Sequence, residues 1–339
     1  MTEVAATKQM PAQKPAIDVD IYDGSATPIL AQAVVEILGL SLGHRDIHHF
    51  EDGETHVKIL DNARERDIYI IQSTCWPVNE NLMELLIMID AFRRASARRI
   101  TAIIPYYGYA RQEKKSTGRE PITAKLVANL LTTAGADRVV AIDLHAPAIQ
   151  GFFDIGMISL TAIPLLADHV RKYVPNLQDA VVVSPDTGRL KVADMYANLL
   201  NLPLVVIYKR RGGEHGEEVK ARAIIGEVRG KRPIIVDDIV STGSTIVASA
   251  EALLEAGAKP DMTVVATHGV LTPAAEERLG RPEISRIVIT DTIPFHSAGL
   301  LNKTSVISVA GLLAETISRL HQGQSISALF RRGHETYPV

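Results

Sequence analysis

The amino-acid sequence predicts an α/β protein in which two tandem, mainly parallel sheets are each flanked by helices. Short β-branched runs alternate with longer helical patterns along most of the chain, as in parallel sheets joined by crossover helices. The 339 residues are enough for two domains, and 46% hydrophobic against 22% charged residues is typical of globular proteins. The predicted strands are 67–71, 100–104, 138–142, 180–183, 204–208, 233–236, 262–266 and 286–290.

Helices and domain boundaries follow from the same pattern. Helices are predicted at 79–94, 122–133, 190–200 and 245–256, and Gly135 and Gly257 follow two of them as stop signals. One α/β series ends near 151–160, where a second begins. We therefore expect domains at 17–160 and 161–305, a C-terminal segment at 306–339 that packs back on the first domain, and a disordered extension at 1–16.

Composition excludes several classes of protein. The net charge of −3 provides no basic field for a nucleic acid, so no nucleic-acid partner is expected. No stretch reaches the ~18 uncharged apolar residues of a membrane helix, which predicts a cytoplasmic protein without a membrane partner. The single Cys75 fits a buried thiol, and His48 and His49 have no further ligand group at zinc spacing.

The most informative segment is the run from Pro233 to Thr245. An apolar strand leads into Asp237 and Asp238, and a small, hydroxyl-rich loop then opens a helix. Small residues let the backbone approach an anion, and the helix N-terminus favours phosphate. Two adjacent carboxylates accept hydrogen bonds from vicinal hydroxyls, so the segment suits a ribose 5-phosphate, although an ordinary βα turn with a capping serine is the simpler alternative.

This segment resembles the 5-phosphoribosyl 1-diphosphate (PRPP) motif of the type I phosphoribosyltransferase fold. Together with four other segments, the chain resembles the ribose-phosphate diphosphokinases (PRPP synthetases) over roughly residues 17–330. The resemblance implies two tandem phosphoribosyltransferase-like domains, with ATP on the N-terminal side and ribose 5-phosphate on the C-terminal side. The four segments are Phe50-Glu-Asp-Gly-Glu54, Tyr109-Ala-Arg-Gln-Glu-Lys-Lys115, Asp143-Leu-His-Ala146 and Tyr208-Lys-Arg-Arg211.

The implied reaction is Mg²⁺-dependent transfer of the β,γ-diphosphoryl group of ATP to the anomeric hydroxyl of ribose 5-phosphate. It yields AMP and PRPP for nucleotide, histidine and tryptophan biosynthesis. The alternatives are a catalytically silent regulatory relative and a PRPP-sensing transcription regulator. The latter would need a helix-turn-helix that the short N-terminal segment cannot supply.

The resemblance also assigns roles to individual residues. It implies that Lys209 and Arg211 are catalytic and that His145 and Asp186 hold Mg²⁺ with the ATP phosphates. The ATP-binding residues are then Phe50, Asp52, Gly53, Glu54, Arg111 and Gln112, and the ribose 5-phosphate-binding residues are Asp237, Asp238, Ser241, Thr242, Gly243, Ser244 and Thr245. The family assembly implies a homo-oligomer, a hexamer, in which the 50–54 strand reaches a neighbouring ATP site.

Elementary geometry gives separate expectations for two of these groups. In an extended strand Phe50, Asp52 and Glu54 share one face and offer a base a ring and two acceptors, whereas a surface hairpin is the alternative without the resemblance. Asp143 and His145 lie two residues apart at the end of one strand, so their side chains should face the same side. Asp186 follows the strand at 180–183, so these three potential ligands should meet at one edge of the sheet. Mg²⁺ prefers oxygen, which favours the aspartates over the histidine.

Departures from the family pattern matter for charge and regulation. Ser241 replaces a common acidic residue and Ser244 a frequent glycine, and we expect binding to survive both. The segment 185–191 lacks its second glycine, so Arg189 or Lys191 is a candidate for a supplementary positive charge. Pro147 and Ala310 occupy positions that are serines in members controlled by phosphate and ADP, which argues against that control here.

Overall fold

The computed structural model describes residues 19–175, 177–210, 221–327 and 329, apart from the side chains of 209, 210, 221 and 222. The predicted N-terminal extension at 1–16 and the predicted catalytic Arg211 lie outside these residues. No helix in the described part of the chain is long and apolar enough to cross a membrane.

The strands and helices alternate as the sequence predicts, and the mixed α/β fold is confirmed. The strands are β1 (Asp20–Asp23), β2 (Arg45–His49), β3 (Thr55–Ile59), β4 (Asp67–Ile71), β5 (Arg99–Ile104), β6 (Arg138–Ile142), β7 (Gly156–Leu160), β8 (Ala180–Ser184), β9 (Leu204–Arg210), β10 (Ala221–Ile225), β11 (Arg232–Val240), β12 (Met262–Gly269), β13 (Ile284–Thr290) and β14 (Thr304–Ile307). The α-helices are α1 (Pro28–Leu38), α2 (Val78–Arg94), α3 (Thr123–Ala134), α4 (Ile163–Tyr173), α5 (Leu190–Leu200), α6 (Ser244–Glu255), α7 (Pro273–Leu279) and α8 (Ala310–His321).

The strands form two large sheets and one hairpin. The first sheet has five parallel strands in the order β1-β4-β5-β6-β7. The second has seven strands in the order β10-β9-β8-β11-β12-β13-β14, in which β10 alone runs antiparallel to its neighbour. Among the described residues, β2 and β3 pair with each other and with no other strand. Because the carboxyl ends of parallel strands share one edge of a sheet, ligand-binding residues are expected at those ends.

The two sheets share one apolar core. Val140 of β6 and Leu160 of β7 belong to the same buried cluster as Val182 of β8 and Val265 of β12. Helix α8 packs against α1, so the end of the chain returns to the first sheet. Buried side chains of both helices, among them Val34 of α1 and Leu313 of α8, belong to the same cluster, so hydrophobic contact joins the two halves.

A buried polar junction also links the two sheets near the ends of β6 and β12. His268 of β12 is 2% exposed, and its Nε2 lies 3.0 Å from the carbonyl oxygen of Ile142 and 3.2 Å from that of Asp143. Because carbonyls only accept, Nε2 carries the proton, and Nδ1 accepts from the Thr292 hydroxyl at 2.9 Å. Ser73, which follows β4, donates to the carbonyl of Thr292 at 2.6 Å.

This junction predicts a pH dependence of stability. Burial lowers the pKa of His268, and the negative charges of Asp143 and Asp238 oppose this only in part. The unfolded chain takes up a proton below about pH 6.5 and the folded chain does not, so the folded state loses stability as pH falls from that value, by at most about 1.4 kcal/mol per unit. Between pH 7 and pH 5, we expect the free energy of unfolding, measured with denaturant, to fall less in His268→Gln than in the original chain. If the free energy of unfolding fell equally with pH in both proteins, this prediction would be wrong.

Candidate functional site

The predicted phosphate loop joins β11 to α6. Strand β11 extends four residues beyond the predicted apolar run, so Asp237 and Asp238 lie within it rather than after it. Asp238 is 5% exposed, and the following turn carries Ser241, Thr242 and Gly243 before α6 begins. The first amides of a helix have no acceptor within the helix, so this turn presents donors and a positive dipole end to a ligand.

Gly243 is required by the shape of this turn. It adopts φ 75°, a left-handed conformation that favours glycine. A Cβ atom at this position would lie 3.2 Å from side-chain carbons of Leu279, so the space is also restricted. The Thr242 and Ser244 hydroxyls lie 3.1 Å apart on either side of the glycine, and Arg278 donates to the carbonyl of Thr242 at 3.0 Å. The turn therefore keeps its backbone and hydroxyls close to one another.

A cavity of about 280 Å³ lies over this turn. It brings residues from both halves of the chain together, as expected for a site between two sheets. Its described lining consists of Arg111, His145, Asp186, Arg189, Asp237, Asp238, Ile239, Val240, Ser241, Thr242, Gly243, Ser244, Thr245 and Ile246. Both predicted metal ligands and all seven predicted ribose-phosphate residues are in this set.

Arg189 occupies the centre of the polar groups. Its Nη1 lies 3.2 Å from Asp238 Oδ2, and its Nε lies 3.4 Å from Asp237 Oδ1. The same guanidinium approaches His145, with Nη2 3.0 Å from the ring Nε2, and Nη1 donates to the His145 carbonyl at 3.0 Å. The sequence suggested Arg189 only as one of two sources of positive charge. The described lining of the cavity includes Arg189 and not Lys191.

The two neighbouring carboxyls differ in acidity. Burial and the adjacent Asp238 raise the pKa of Asp237 to about 8. Burial acts in the same direction on Asp238, but hydrogen bonds from His145 and Asp237, together with the charge of Arg189, lower its pKa to about 2. The pair therefore carries about one negative charge at neutral pH, held mainly by Asp238. A cationic or hydroxyl-bearing ligand meets one strong acceptor beside one group that can donate.

The predicted metal ligands fit a magnesium ion that is held largely by substrate oxygens. His145 Nδ1 lies 2.8 Å from Asp238 Oδ2 and 2.8 Å from Arg189 Nη2. Once the guanidinium moves away, Nδ1 can donate to the carboxylate, which leaves the electron pair of Nε2 for a metal. A metal-binding histidine is commonly fixed by a carboxylate in this way. Asp186 adds a carboxylate to the cavity, so two protein ligands leave the remaining positions of Mg²⁺ to phosphate and water oxygens. The Arg189 guanidinium now lies against His145 Nε2, so it would have to move before a metal could bind this nitrogen.

Asp143 does not face the same side as His145, which corrects the expectation from their spacing. Asp143 has φ 40°, and this left-handed turn breaks the alternation of the strand. Its Oδ2 accepts from the amide of Ala162 at 3.0 Å and from the hydroxyl of Thr267 at 2.6 Å. Asp143 therefore holds the start of α4 and joins it to β12, a role in the junction between the sheets.

The two predicted ATP-binding residues after β5, Arg111 and Gln112, have different surroundings in the structure. Arg111 is exposed and lines the cavity. The side-chain oxygen of Gln112 instead accepts from the Thr123 hydroxyl at 2.6 Å, at the first residue of α3. In this arrangement Gln112 fixes the start of the helix, and Arg111 is the member of the pair that faces the site.

The segment Phe50–Glu54 is the turn of the β2–β3 hairpin, which corrects the extended arrangement with a shared face. The amide of Phe50 donates to the Glu54 carbonyl at 2.8 Å, and Gly53 adopts φ 92° in between. All five residues are exposed, and the described lining of the cavity in this chain does not include them. The surface-hairpin alternative is therefore the one that the structure bears out.

Of the two predicted catalytic residues, only the backbone of Lys209 is within the described part of the chain, in β9. Lys209 is within this strand, beyond the predicted end at 208, but its side chain is outside the described part of the chain. Arg211 and the glycine-containing segment up to residue 220 are also outside it. Strand β9 is next to β8, which precedes Asp186, and β8 is next to β11. The backbone thus places the Lys209 strand in the sheet that forms the cavity.

Comparisons with known proteins identify the family. Residues 19–135 match the N-terminal domain of ribose phosphate pyrophosphokinase, and residues 215–331 match the phosphoribosyl synthetase-associated domain. The chain is 51% identical over 313 residues to the ribose-phosphate pyrophosphokinase of Caldanaerobacter subterraneus subsp. tengcongensis, covering 91% of this chain and 97% of that protein. It is 48% identical over 312 residues to the enzyme of the same name from Nostoc sp., covering 92% and 93%.

A solved structure agrees with these sequence matches. The crystal structure of phosphoribosylpyrophosphate synthetase from Mycobacterium smegmatis superposes with a TM-score of 0.84 at 41% identity, and it covers 90% of this chain and 99% of that chain. The resemblance found in the sequence motifs is confirmed over nearly the whole length. The chain belongs to the ribose-phosphate pyrophosphokinase family of enzymes.

Proposed function

We propose that this enzyme transfers the β,γ-diphosphoryl group of ATP to the anomeric hydroxyl of ribose 5-phosphate, with Mg²⁺. The observation that carries this proposal is the cavity at the β11–α6 turn. It combines a helix N-terminus for a phosphate monoester, a pair of carboxyls for sugar hydroxyls and, from the other half of the chain, Arg111 and His145 for a polyphosphate. The names of the relatives at 45–51% identity support the same reaction.

In this reaction the anomeric oxygen of the sugar attacks the β-phosphorus of ATP. The bond from that phosphorus to the oxygen shared with the α-phosphate breaks, AMP departs and the hydroxyl proton is lost. Negative charge grows on the phosphoryl and leaving oxygens, so catalysis requires positioning and cations and needs no protein nucleophile. We assign Lys209 and Arg211 to this charge and Arg111, with Gln112 behind it, to the ATP phosphates.

The sugar phosphate is assigned to the β11–α6 turn. Asp237 and Asp238 would hold the ribose hydroxyls, and the run from Ser241 to Thr245 would hold the 5-phosphate through hydroxyls and amides. Mg²⁺, when bound at His145 and Asp186, neutralises phosphate charge. Arg189 has to leave this position first, because its guanidinium lies against His145 and both carboxyls. Phe50, Asp52, Gly53 and Glu54 are assigned to the adenine end of an ATP site in a neighbouring copy.

The direct test is a product analysis. Protein incubated with Mg²⁺, ATP and ribose 5-phosphate should form AMP and PRPP in equal amounts, because the diphosphoryl group moves in one step. Chromatography of the nucleotides separates this from ADP formation, which would indicate transfer of a single phosphoryl group. Omission of ribose 5-phosphate is the control and should abolish AMP formation.

The assembly and domain division are part of the same proposal. We propose a cytoplasmic homo-oligomer and, from the family resemblance, a hexamer. The exposed 50–54 turn supports an oligomer, because it is not part of the described cavity lining of its own chain. We place the domain boundaries after residues 160 and 305. The first boundary is supported by β7, which ends the first sheet at Leu160, and α8 after residue 305 packs against α1 of the first half. Strand β14 of the second sheet crosses the second boundary.

Inorganic phosphate should change the activity little. Pro147 begins a short 3-10 helix and Ala310 is the first residue of α8, and neither side chain has a hydroxyl to bind phosphate. Initial rates measured while phosphate is titrated in a non-phosphate buffer should change by no more than about twofold. A tenfold change would correspond to ~1.4 kcal/mol in the activation free energy. Strong activation would show that other residues bind a regulatory phosphate.

A further inference from the structure

The outer face of the β2–β3 hairpin carries three side chains that can bind a metal. Asp46 and His48 alternate onto one face of β2, and His56 of β3 lies directly across from His48 in the strand register. One ligand atom from each side chain lies within 4.8 Å of the other two. The sequence showed His48 and His49 without a third ligand, because the pairing of β2 with β3 is what brings His56 into place.

The three groups do not satisfy one another in the structure. The Nδ1 atom of His56 is buried and has no hydrogen-bond partner. The His48 Nδ1 atom lies 3.6 Å from Asp46 Oδ1, which is longer than a hydrogen bond. The two imidazole rings are stacked, with centroids 4.5 Å apart. A buried nitrogen without a partner is costly, and a metal ion would provide one.

We propose that Asp46, His48 and His56 form a binding site for a divalent transition metal ion of the Zn²⁺ or Co²⁺ type. Two imidazoles and one carboxylate, with water in the fourth position, are a common tetrahedral ligand set for such ions. Bonds of about 2.0–2.2 Å place tetrahedral ligand atoms roughly 3.3–3.6 Å apart, so small side-chain rotations close the site. Mg²⁺, which demands six ligands and prefers oxygen, does not suit it.

The neighbours of the site agree with this assignment. Lys58 lies across from Asp46 but is exposed, so its ammonium group can turn to solvent when a metal binds. Phe50 contacts both imidazoles edge-on, at 5.3 Å from His48 and 5.8 Å from His56 between ring centroids. Metal binding would therefore reorient the imidazole rings of His48 and His56, which contact Phe50. The binding site itself does not depend on the reaction proposed above.

Cobalt is the probe for the test. The tag-free full chain, stripped of metal and without nucleotide, is titrated with Co²⁺, and we expect one equivalent per chain with the intense visible absorption of a four-coordinate ion. The signal should disappear in His48→Ala and in His56→Ala and should be displaced by Zn²⁺. It should persist in His49→Ala, since His49 bonds Thr55 on the other face, and in His145→Ala, which alters the cavity.

A second measurement covers variants that fold poorly. Zn²⁺ should raise the unfolding temperature of the original chain and of His49→Ala, because it binds the folded state, and should not raise that of His48→Ala, whose exposed side chain contributes little to the apo fold. The proposal fails if cobalt does not bind, if binding survives both histidine variants, or if His145→Ala abolishes it. Binding to Co²⁺ without PRPP synthesis would leave the metal site intact and reject the proposed reaction.

Discussion

Replacing Lys209 with alanine is expected to lower kcat by about 10³-fold while the KM values for both substrates change little. A cation that meets the transferring group only as charge develops contributes to the transition state and little to ground-state binding. The measurement is a steady-state rate of AMP formation at saturating ATP and ribose 5-phosphate, together with a binding titration of each substrate.

Lys172 provides a matched control for that experiment. It is an exposed lysine of α4 that pairs with Asp168 at 2.9 Å, and it is not part of the cavity lining described above. Lys172→Ala should retain the original kcat. A Lys209→Ala enzyme with nearly full turnover would show that the charge on the transferring group is stabilised by other residues.

The second large effect is expected at Asp238. Alanine at this position should lower kcat/KM for ribose 5-phosphate by about 10²-fold, because hydrogen bonds to a charged acceptor contribute about 1.5–3 kcal/mol each. The same change leaves His145 and Arg189 without the carboxylate that both contact, so the His145 ring, which we propose as a metal ligand, also loses its support. Initial rates over a range of ribose 5-phosphate concentrations measure the loss.

Two further variants separate binding from folding. Asp238→Asn keeps the shape and one acceptor, so it should fall between the original enzyme and Asp238→Ala. Asp194, an exposed aspartate of α5 that bonds Asn198, is the control, and Asp194→Ala should leave kcat/KM unchanged. If Asp238→Ala retained the original KM for ribose 5-phosphate, the sugar would have to lie elsewhere in the cavity.

The sequence predicted the buried strands well because their apolar runs are local signals. Strands β4 and β6 have the predicted limits, and β4 is buried throughout. Strands β2 and β3 are absent from the predicted strands, and a surface hairpin around residues 50–54 was only an alternative, since both strands are mostly polar and their pairing depends on the turn at Gly53. The ends of β11 and β12 extend past their apolar runs, because neighbouring strands continue the hydrogen bonding there.

The sequence predicted many of the residues that line the candidate site, but not which of their side chains contact one another. The motif around Asp237 and Asp238 specified a local turn, so its residues do meet in one cavity. Arg189 could not be placed in this way, because its contacts join residues 44 and 49 positions away in the chain to one guanidinium. Asp143 was misplaced since alternation assumes an extended backbone and this residue is left-handed. Such contacts depend on tertiary structure.

The buried bonds of His268, Ser73 and Thr292 have a consequence for how substrates enter. A hinge between the halves would have to break these bonds and expose the shared apolar core, at a cost that ordinary fluctuations do not reach. We therefore expect rotation of one half against the other to cost more free energy than the movement of a single side chain. Ligand entry would then require a side-chain movement inside the cavity, foremost that of the Arg189 guanidinium, which lies against His145, Asp237 and Asp238.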